Sequence, residues 1–136
     1  MFVTFSTRRF EILPPTARDI VLECCLREAE TRIDLIVVVV MPEHVHMLLT
    51  PRMDQTGAPY SIPEIMQSIK GVSAHRINKL LRRQGPVWQQ ESFDHVPRRA
   101  QSVNVRVEYV RQNPVRRGLA NKPEEYRWLW VKPGLR

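Results

Sequence analysis

Two histidines stand one residue apart at the start of an apolar run: His44 and His46, in the segment His-Val-His-Met-Leu-Leu. Successive side chains of a β-strand point to opposite faces, so an extended backbone would project both imidazoles from the same face. Paired imidazoles on a rigid strand can supply half of a site for a divalent metal ion. Taken alone, the motif is better interpreted as two solvent-facing or hydrogen-bonded histidines on an edge strand.

A second set of polar groups lies on a helix predicted from about Gln101 to Asn113, where Pro114 is expected to stop it. Val103, Val107 and Val110 follow the spacing of a packed stripe. Tyr109 lies off this stripe, and Asn113 follows Tyr109 at a rotation of about 40° around the axis. A phenol and an amide oxygen could therefore reach the same place. The alternative is a boundary aromatic with its hydroxyl in water, followed by a helix cap at Asn113.

Together these four side chains could act on a phosphodiester. A divalent cation on His44, His46 and Asn113 would leave coordination positions for a substrate phosphate and would neutralise charge in the transition state. Mixed nitrogen and oxygen ligands suit Mn²⁺ or Mg²⁺, and such a site also admits Zn²⁺. Attack by Tyr109 would form a covalent phosphotyrosine that stores the bond for rejoining. The absence of a Gly-x-x-x-x-Gly-Lys-Ser/Thr loop is consistent with chemistry that needs no ATP.

The net charge of +7 is distributed unevenly along the chain. Residues 1–64 carry six basic and nine acidic side chains, whereas residues 65–136 carry fifteen and five. This asymmetry favours a polyanionic partner, with nucleic acid ahead of an anionic membrane. Trp88 could stack on an unpaired base, although core packing is the default role of a tryptophan. The residues predicted to contact DNA are Lys70, Arg76, Lys79, Arg82, Arg83, Trp88, Arg98, Arg99, Arg106 and Arg116.

The chain of 136 residues, 43% hydrophobic and 26% charged, fits one globular domain spanning residues 1–136. The longest apolar run, from Leu35 to Met41, is too short to cross a bilayer, and no secretory signal is visible. Cys24 and Cys25 are adjacent and have no partner elsewhere, so we expect reduced thiols in a cytoplasmic protein.

The predicted order of elements is strand, helix, strand, strand, helix, strand, helix. Ile33–Val40 is rich in β-branched residues and predicts a central strand buried on both faces. Ser61-Ile62-Pro63-Glu64 predicts a capped helix start, and that helix would bury Ile65, Ile69, Val72, Ile77, Leu80 and Leu81. The order predicts an α+β protein with a ferredoxin-like split βαβ antiparallel sheet, helices on one face, and an extra C-terminal helix that carries the tyrosine. The predicted strands cover residues 2–5, 33–40, 44–50 and 87–96, and the helices cover 14–31, 62–85 and 101–113.

Several dispersed motifs resemble the REP-associated tyrosine transposases, within the larger group of single-tyrosine His-hydrophobic-His (HUH) single-strand DNA transposases. The resemblance covers most of the chain, in one order along it. Its landmarks are Met41-Pro42-Glu43-His44-Val45-His46, Gly85-Pro86-Val87-Trp88-Gln89, Phe93-Asp94-His95, Tyr109 to Leu119, and Tyr126-Arg127-Trp128.

The resemblance implies that His44 and His46 are metal ligands, that Tyr109 is the nucleophile, and that Asn113 is a third ligand. Members of the family cut and join single-stranded DNA near hairpins formed by repetitive extragenic palindromes. They use a divalent metal and form a 5′-phosphotyrosine link. The implied partners are single-stranded or hairpin DNA, with no membrane, and the protein would be a monomer or a homodimer.

This chain departs from the family pattern at three places. Glu43 stands where asparagine is common, and Trp128-Leu129-Trp130 replaces a more usual Trp-Ser-Ser. Because the sequence begins almost at the first predicted strand, we expect it to lack the DNA-contacting N-terminal extension of some relatives. Two other functions remain open: a non-catalytic nucleic-acid-binding domain, domesticated or decayed, and a replication initiator or relaxase. The second of these usually requires a longer chain with added domains.

Overall fold

The computed structural model describes residues 1–95 and 103–134. The strands in this part of the chain are β1 (Phe2–Ser6), β2 (Ile33–Val40), β3 (His44–Pro51), β4 (Phe93–His95) and β5 (Leu129–Val131). The helices are α1 (Pro15–Ala29), α2 (Ile62–Leu81), α3 (Val103–Arg111) and α4 (Asn113–Arg116), with 3-10 turns at Arg8–Phe10 and Pro123–Glu125.

The strands form one sheet in the order β4-β1-β3-β2-β5. Every neighbouring pair is antiparallel. The first four strands and the two long helices reproduce the predicted ferredoxin-like arrangement, which confirms the α+β fold class. β5 was not predicted: it adds to the free side of β2 and places that strand inside the sheet, as its buried β-branched sequence requires.

Helices α1 and α2 cover one face of the sheet. They pack on alternate residues of β1 and β3, among them the almost wholly buried Phe5 and Met47, and on residues of β2. The α2 N-terminus follows the sequence prediction, because the Ser61 hydroxyl accepts a hydrogen bond from the Glu64 amide. Gly71 does not interrupt α2. The larger of the two apolar clusters lies between these helices and the sheet.

A β-bulge at Ile36 decides which residues of β2 point to the opposite face of the sheet. Pairing with β3 passes from Leu35 directly to Val37, so the residues beyond the bulge change the face to which they point. Val37 and Val39 consequently point to the second face, where Val107 and Val110 of α3 pack on them. The bulge therefore selects Val37 and Val39 as the apolar surface on which the predicted tyrosine helix lies.

The predicted strand over residues 87–96 is wrong for its first part. Val87 and Trp88 are buried, but they form only one isolated bridge, between Trp88 and Thr7, and the regular strand is limited to Phe93–His95. Residue 96 lies outside the described residues. Backbone hydrogen bonds of this bridge hold the segment to the end of β1, and the Trp88 indole holds it to α2 by donating to the Ser73 hydroxyl at 2.9 Å.

Helix α2 ends at Leu81, before the predicted end near residue 85. Arg82 adopts a left-handed conformation with φ of 53°, which terminates the helical hydrogen bonding. Two residues predicted for its core, Val72 and Leu80, are 45% and 48% exposed. The apolar face of α2 is therefore wider than the part of it that α1 and the sheet cover.

The predicted C-terminal helix is two helices. Helix α3 ends at Arg111, and Pro114 lies in the first turn of α4, where its missing amide hydrogen costs nothing. Asn113 is therefore the first residue of α4 and not the last of α3. Val103, predicted to share the packed stripe, is 46% exposed.

The thiols of Cys24 and Cys25 are free and buried on α1. Burial raises the pKa of the Cys25 thiol well above its usual range, so this side chain behaves as a small apolar core residue. Within the described ranges, no helix combines the length and apolar character needed to cross a bilayer.

Tyr126 fixes the C-terminal segment to the sheet. Its hydroxyl donates a buried hydrogen bond of 2.7 Å to the carbonyl of Val40, and we expect Tyr126→Phe to lower the free energy of unfolding by about 1 kcal/mol. Urea denaturation measures this change. Tyr60→Phe is the matched control, because the structure gives the Tyr60 hydroxyl no hydrogen bond to a described residue. Equal effects of both substitutions would contradict the assignment.

Candidate active site

The histidine pair lies in the middle of the sheet. Strand β3 is paired on both sides, with β1 through Thr4 and His46 and with β2 through Val39 and His46. The edge-strand interpretation of the motif is therefore wrong. The rings of His44 and His46 project from the face that carries α3, with centroids 4.5 Å apart and an interplanar angle of 76°.

Both histidines use the same ring nitrogen for hydrogen bonding. Nδ1 of His46 lies 2.9 Å from the Thr4 hydroxyl, and Nδ1 of His44 lies 2.8 Å from a carboxylate oxygen of Glu43. An ionised carboxylate only accepts, so Nδ1 of His44 carries the proton. At His44 this leaves the Nε2 lone pair available, which is the arrangement of metal-ligating histidines. At His46 the Thr4 hydroxyl can donate or accept, so this contact orients the ring without assigning its proton.

The imidazoles are kept neutral by their surroundings. Burial, with the neighbouring His44 and the Arg116 guanidinium, lowers the pKa of His46 to about 4. Burial also lowers the pKa of His44, against the opposing influence of Glu43. Neutral imidazole is the form that ligates a metal, so near pH 7 neither ring must first lose a proton.

Glu43 connects the histidine strand to the C-terminal helices. Its carboxylate accepts hydrogen bonds from both terminal nitrogens of Arg117, at 2.6 and 3.2 Å, besides the one from His44. The hydrogen bonds from Arg117, followed by that from His44, hold the pKa of Glu43 below its usual range. The side chain of Glu43 is only 12% exposed, so this buried anion is fully compensated.

Tyr109 lies on the same side of the sheet as the histidines and is 55% exposed. Two residues lie between it and the pair. The Phe2 ring is 6.3 Å from the Tyr109 ring and 5.8 Å from His46, measured between centroids. The Arg116 guanidinium is 4.5 Å from the Tyr109 ring centroid and donates to the Tyr109 carbonyl at 3.1 Å. The phenol, the cation and the imidazoles therefore form one connected surface.

Asn113 is mostly buried and begins α4, so it does not share a helix with Tyr109 as predicted. No group of three or more His, Cys, Asp or Glu side chains converges on a possible metal position within the residues described. The donor set that the structure brings together is thus the two imidazoles. Asn113 as a third ligand stays a prediction.

Part of the predicted DNA-contacting set lies on α2, across the sheet from Tyr109. Arg76 forms an ion pair with Glu23 of α1, and Arg83 forms one with Glu11, so acids from other elements neutralise two of these cations. Lys79 and Arg82 are exposed, and neither has an ion pair with any described residue.

Lys70 donates to the carbonyl of Gln90 and to the hydroxyl of Ser92, at 3.1 and 3.2 Å. Burial lowers its pKa. This lysine therefore has a structural partner in the segment that follows Trp88. Trp88 itself is 6% exposed and its ring meets Phe5 edge-on at 4.9 Å. Trp88 is therefore a core residue, and its ring is not exposed for the predicted stacking on a base.

The remaining predicted cations follow the fourth strand in sequence. Arg116 lies against Tyr109, and Arg106 on α3 has a buried Nε atom without a hydrogen-bond partner among the described residues. Arg98 and Arg99 lie outside the described residues.

Sequence reasoning missed three residues of this site. Thr4 and Phe2 share the histidine-bearing face because they alternate along β1, a signal that the Phe-Val-Thr-Phe pattern contained. Arg117 contacts Glu43 across 74 positions of sequence, and no local pattern reveals such a contact.

Fold and site together define an α+β domain with a histidine pair on the central strand and a tyrosine helix packed on the same face. The model of the IS200-like transposases matches residues 2–113. The chain therefore belongs to the IS200-like transposase family.

Two solved structures share the fold. A REP-associated tyrosine transposase bound to a REP hairpin has a TM-score of 0.74 at 20% identity, over 94% of this chain and 73% of that one. A candidate transposase from Deinococcus radiodurans has a TM-score of 0.52 at 21% identity, over 88% of this chain and 89% of that one. None of the curated proteins matches the sequence.

The ion pair between Glu43 and Arg117 is expected to have a larger coupling free energy of unfolding than an ion pair whose carboxylate is exposed. In a double-mutant cycle with Glu43→Gln and Arg117→Gln, we expect a coupling free energy of about 1–2 kcal/mol in chemical denaturation. The reason is that Glu43 is nearly removed from water. The matched cycle on Glu23 and Arg76, whose side chains are 62% and 42% exposed, should give less than about 1 kcal/mol. The two arginines are similarly exposed, at 44% for Arg117 and 42% for Arg76, so equal couplings would contradict a special role for the buried carboxylate of Glu43.

Proposed function

We propose that this transposase is a metal-dependent endonuclease and strand transferase of single-stranded DNA, with Tyr109 as its nucleophile. The observation that carries the proposal is that Tyr109 and His46 have two neighbours in common. The Phe2 ring contacts both rings, and the Arg116 guanidinium lies over the Tyr109 ring and lowers the pKa of His46. A phenol, a cation and two oriented imidazoles on one face are the groups that phosphoryl transfer to tyrosine requires.

The two imidazoles fit a divalent cation. They share a face, they are neutral near pH 7, and the structure gives neither Nε2 a hydrogen bond to a described residue, while each Nδ1 is held. His44 and His46 would hold Mg²⁺ or Mn²⁺, with Asn113 as the proposed third ligand. When bound, the ion supplies charge neutralisation at a phosphodiester oxygen.

In the proposed reaction the Tyr109 oxygen attacks phosphorus and the bond from phosphorus to the 3′ oxygen breaks. The phenolic proton passes to solvent, and the departing 3′ oxygen takes up a proton to become a hydroxyl. The product is a 5′-phosphotyrosine link, whose reversal by another 3′ hydroxyl joins strands without ATP. Arg116, beside the ring, is placed to balance the charge of the phosphate and to orient it.

The proposed substrate is single-stranded DNA next to a hairpin formed by palindromic repeats. The membership of the IS200-like transposase family supports this substrate. So do the REP hairpin bound to the structurally similar REP-associated tyrosine transposase and the excess of basic residues after position 64 of this chain. A non-catalytic DNA binder on the same fold would share the charge and the hairpin, but it would have no use for the held imidazoles.

The covalent step predicts a protein–DNA adduct that survives denaturation. We expect wild-type protein, incubated with labelled hairpin-bearing single strands and Mn²⁺, to form this adduct, and Tyr109→Phe to abolish it while binding stays within about threefold, because only the phenolic oxygen is lost. Denaturing gel electrophoresis measures the adduct. Tyr60→Phe is the control and should form it normally. Binding without any wild-type adduct would favour the non-catalytic function, and cleavage by Tyr109→Phe at the wild-type rate would exclude this nucleophile.

The proposed metal site predicts that Mn²⁺ affinity depends on His44 and His46 but not on His75. Titration calorimetry with Mn²⁺ should show binding to the wild-type protein that is weakened about 10-fold or more in His44→Ala and His46→Ala. His75→Ala serves as the matched control, since His75 is exposed on α2 away from the pair. Unchanged Mn²⁺ affinity in both site variants would overturn the assignment of the ligands.

A further inference from the structure

The turn after β1 holds two consecutive residues in an unfavourable conformation. Arg9 and Phe10 have φ angles of 56° and 53°, in the left-handed region that non-glycine side chains rarely adopt. Backbone outliers of this kind persist where the surrounding structure enforces them, and they cluster at functional sites. Neither residue is buried, so core packing does not explain the conformation.

Hydrogen bonds at both ends of the turn enforce this shape. The wholly buried Thr7 donates from its hydroxyl to the Glu11 carbonyl at 2.7 Å and from its amide to the Glu43 carbonyl at 2.9 Å. The Arg8 amide donates to the Val87 carbonyl at 2.8 Å. Residues 8–10 are therefore a rigid projection from the sheet.

The projection displays an aromatic ring between cations. Phe10 is 63% exposed, and Arg8 and Arg9 are exposed without an ion pair to any described residue. Glu11, the acid next to them, is neutralised by Arg83. The surface is thus positive and aromatic, which is the chemistry of a base-stacking platform for single-stranded nucleic acid.

The projection is continuous with the candidate active site. Ser6, the last residue of β1, pairs with His44, and Thr7 holds the backbone of Glu43, whose side chain orients that histidine. A strand passing over the turn would therefore reach the end of the sheet where the paired imidazoles begin.

We propose that Arg8, Arg9 and Phe10 form a single-strand DNA contact beside the histidine pair, with Phe10 stacked on an unpaired base and the two arginines on flanking phosphates. This proposal rests on the proposed function, since it names a contact for the same substrate. The left-handed turn fixes the backbone that carries the ring in advance, so binding does not have to order the loop.

The first test measures stacking directly. Single-stranded oligonucleotides that carry 2-aminopurine at one position each are titrated with protein without divalent metal, so that no cleavage occurs. With wild-type protein, fluorescence at one position should be quenched by the ring. Phe10→Ala should lose this quenching and bind about tenfold more weakly, and Phe10→Trp should keep both.

Two further variants separate stacking from other roles of the side chain. Ile12→Ala, which removes an apolar side chain 60% exposed in the same turn, should leave affinity within twofold. Phe10→Gly should raise the melting temperature, because glycine adopts the left-handed conformation freely, yet it should bind as weakly as Phe10→Ala. Weaker binding by a protein that is more stable would not follow from a merely structural role.

The arginines are tested by the salt dependence of binding. Arg8→Gln and Arg9→Gln should each reduce the slope of log K against log salt by about 0.7, the value for one phosphate contact on a single strand. Arg27→Gln is the matched control, because Arg27 is exposed at the other end of α1, and its slope should not change.

The outcomes distinguish this proposal from the function on which it rests. Wild-type protein that fails to bind single strands would refute the proposed function. Tight wild-type binding that Phe10→Ala and the arginine variants leave unchanged would refute the contact alone. Equal losses in Phe10→Ala and Ile12→Ala would also refute it, since they would indicate a general apolar surface.

Discussion

The site depends on the hydrogen bonds that the carboxylate of Glu43 accepts. The carboxylate receives hydrogen bonds from His44 on one side and from Arg117 on the other, so one buried anion connects the central strand to the end of α4. An ion pair in this position is stabilising only when each oxygen has a partner, and both oxygens do. The family pattern that has asparagine here would keep the contact to the histidine but would offer Arg117 no charge. Glutamate in this chain thus couples ring orientation to helix placement.

The second constraint is the bulge in β2. If the alternation continued regularly through Ile36, Val37 and Val39 would point to the face covered by α1 and α2, and α3 would pack on a different set of β2 side chains. The apolar patch beneath α3 is small, since of that helix only Val107 and Val110 are buried. Such a helix needs attachments beyond its own packing. Arg111 supplies one by joining Glu108 of its own helix to Glu124 of the following 3-10 turn.

Local patterns predicted most of the fold. The β-branched run of β2 and the serine cap of α2 are encoded in neighbouring residues, and both elements begin where expected. Failures arose where a distant residue decides the structure. The side chain of Trp88 is bound by Ser73 on α2 and its backbone pairs with the chain only at a single bridge to Thr7, and β5 adds to the free side of β2. The histidine pair could be predicted because alternation is local, whereas Arg117 and Thr4 reach it only through the tertiary fold.

The exposure of Tyr109 follows from how its helix is attached. Burial increases along the chain from α3 into α4: Val103 is 46% exposed, whereas Val110, Asn113 and Pro114 are buried. The helix is therefore fixed at its C-terminal end, on the side of Arg117 and the Tyr126 hydrogen bond. Tyr109 stands just before this anchor, with its carbonyl bound by Arg116 and its ring free on one face. As the proposed nucleophile, Tyr109 would have a defined backbone position on the face of the imidazoles, with its exposed side chain open to a strand arriving from solvent.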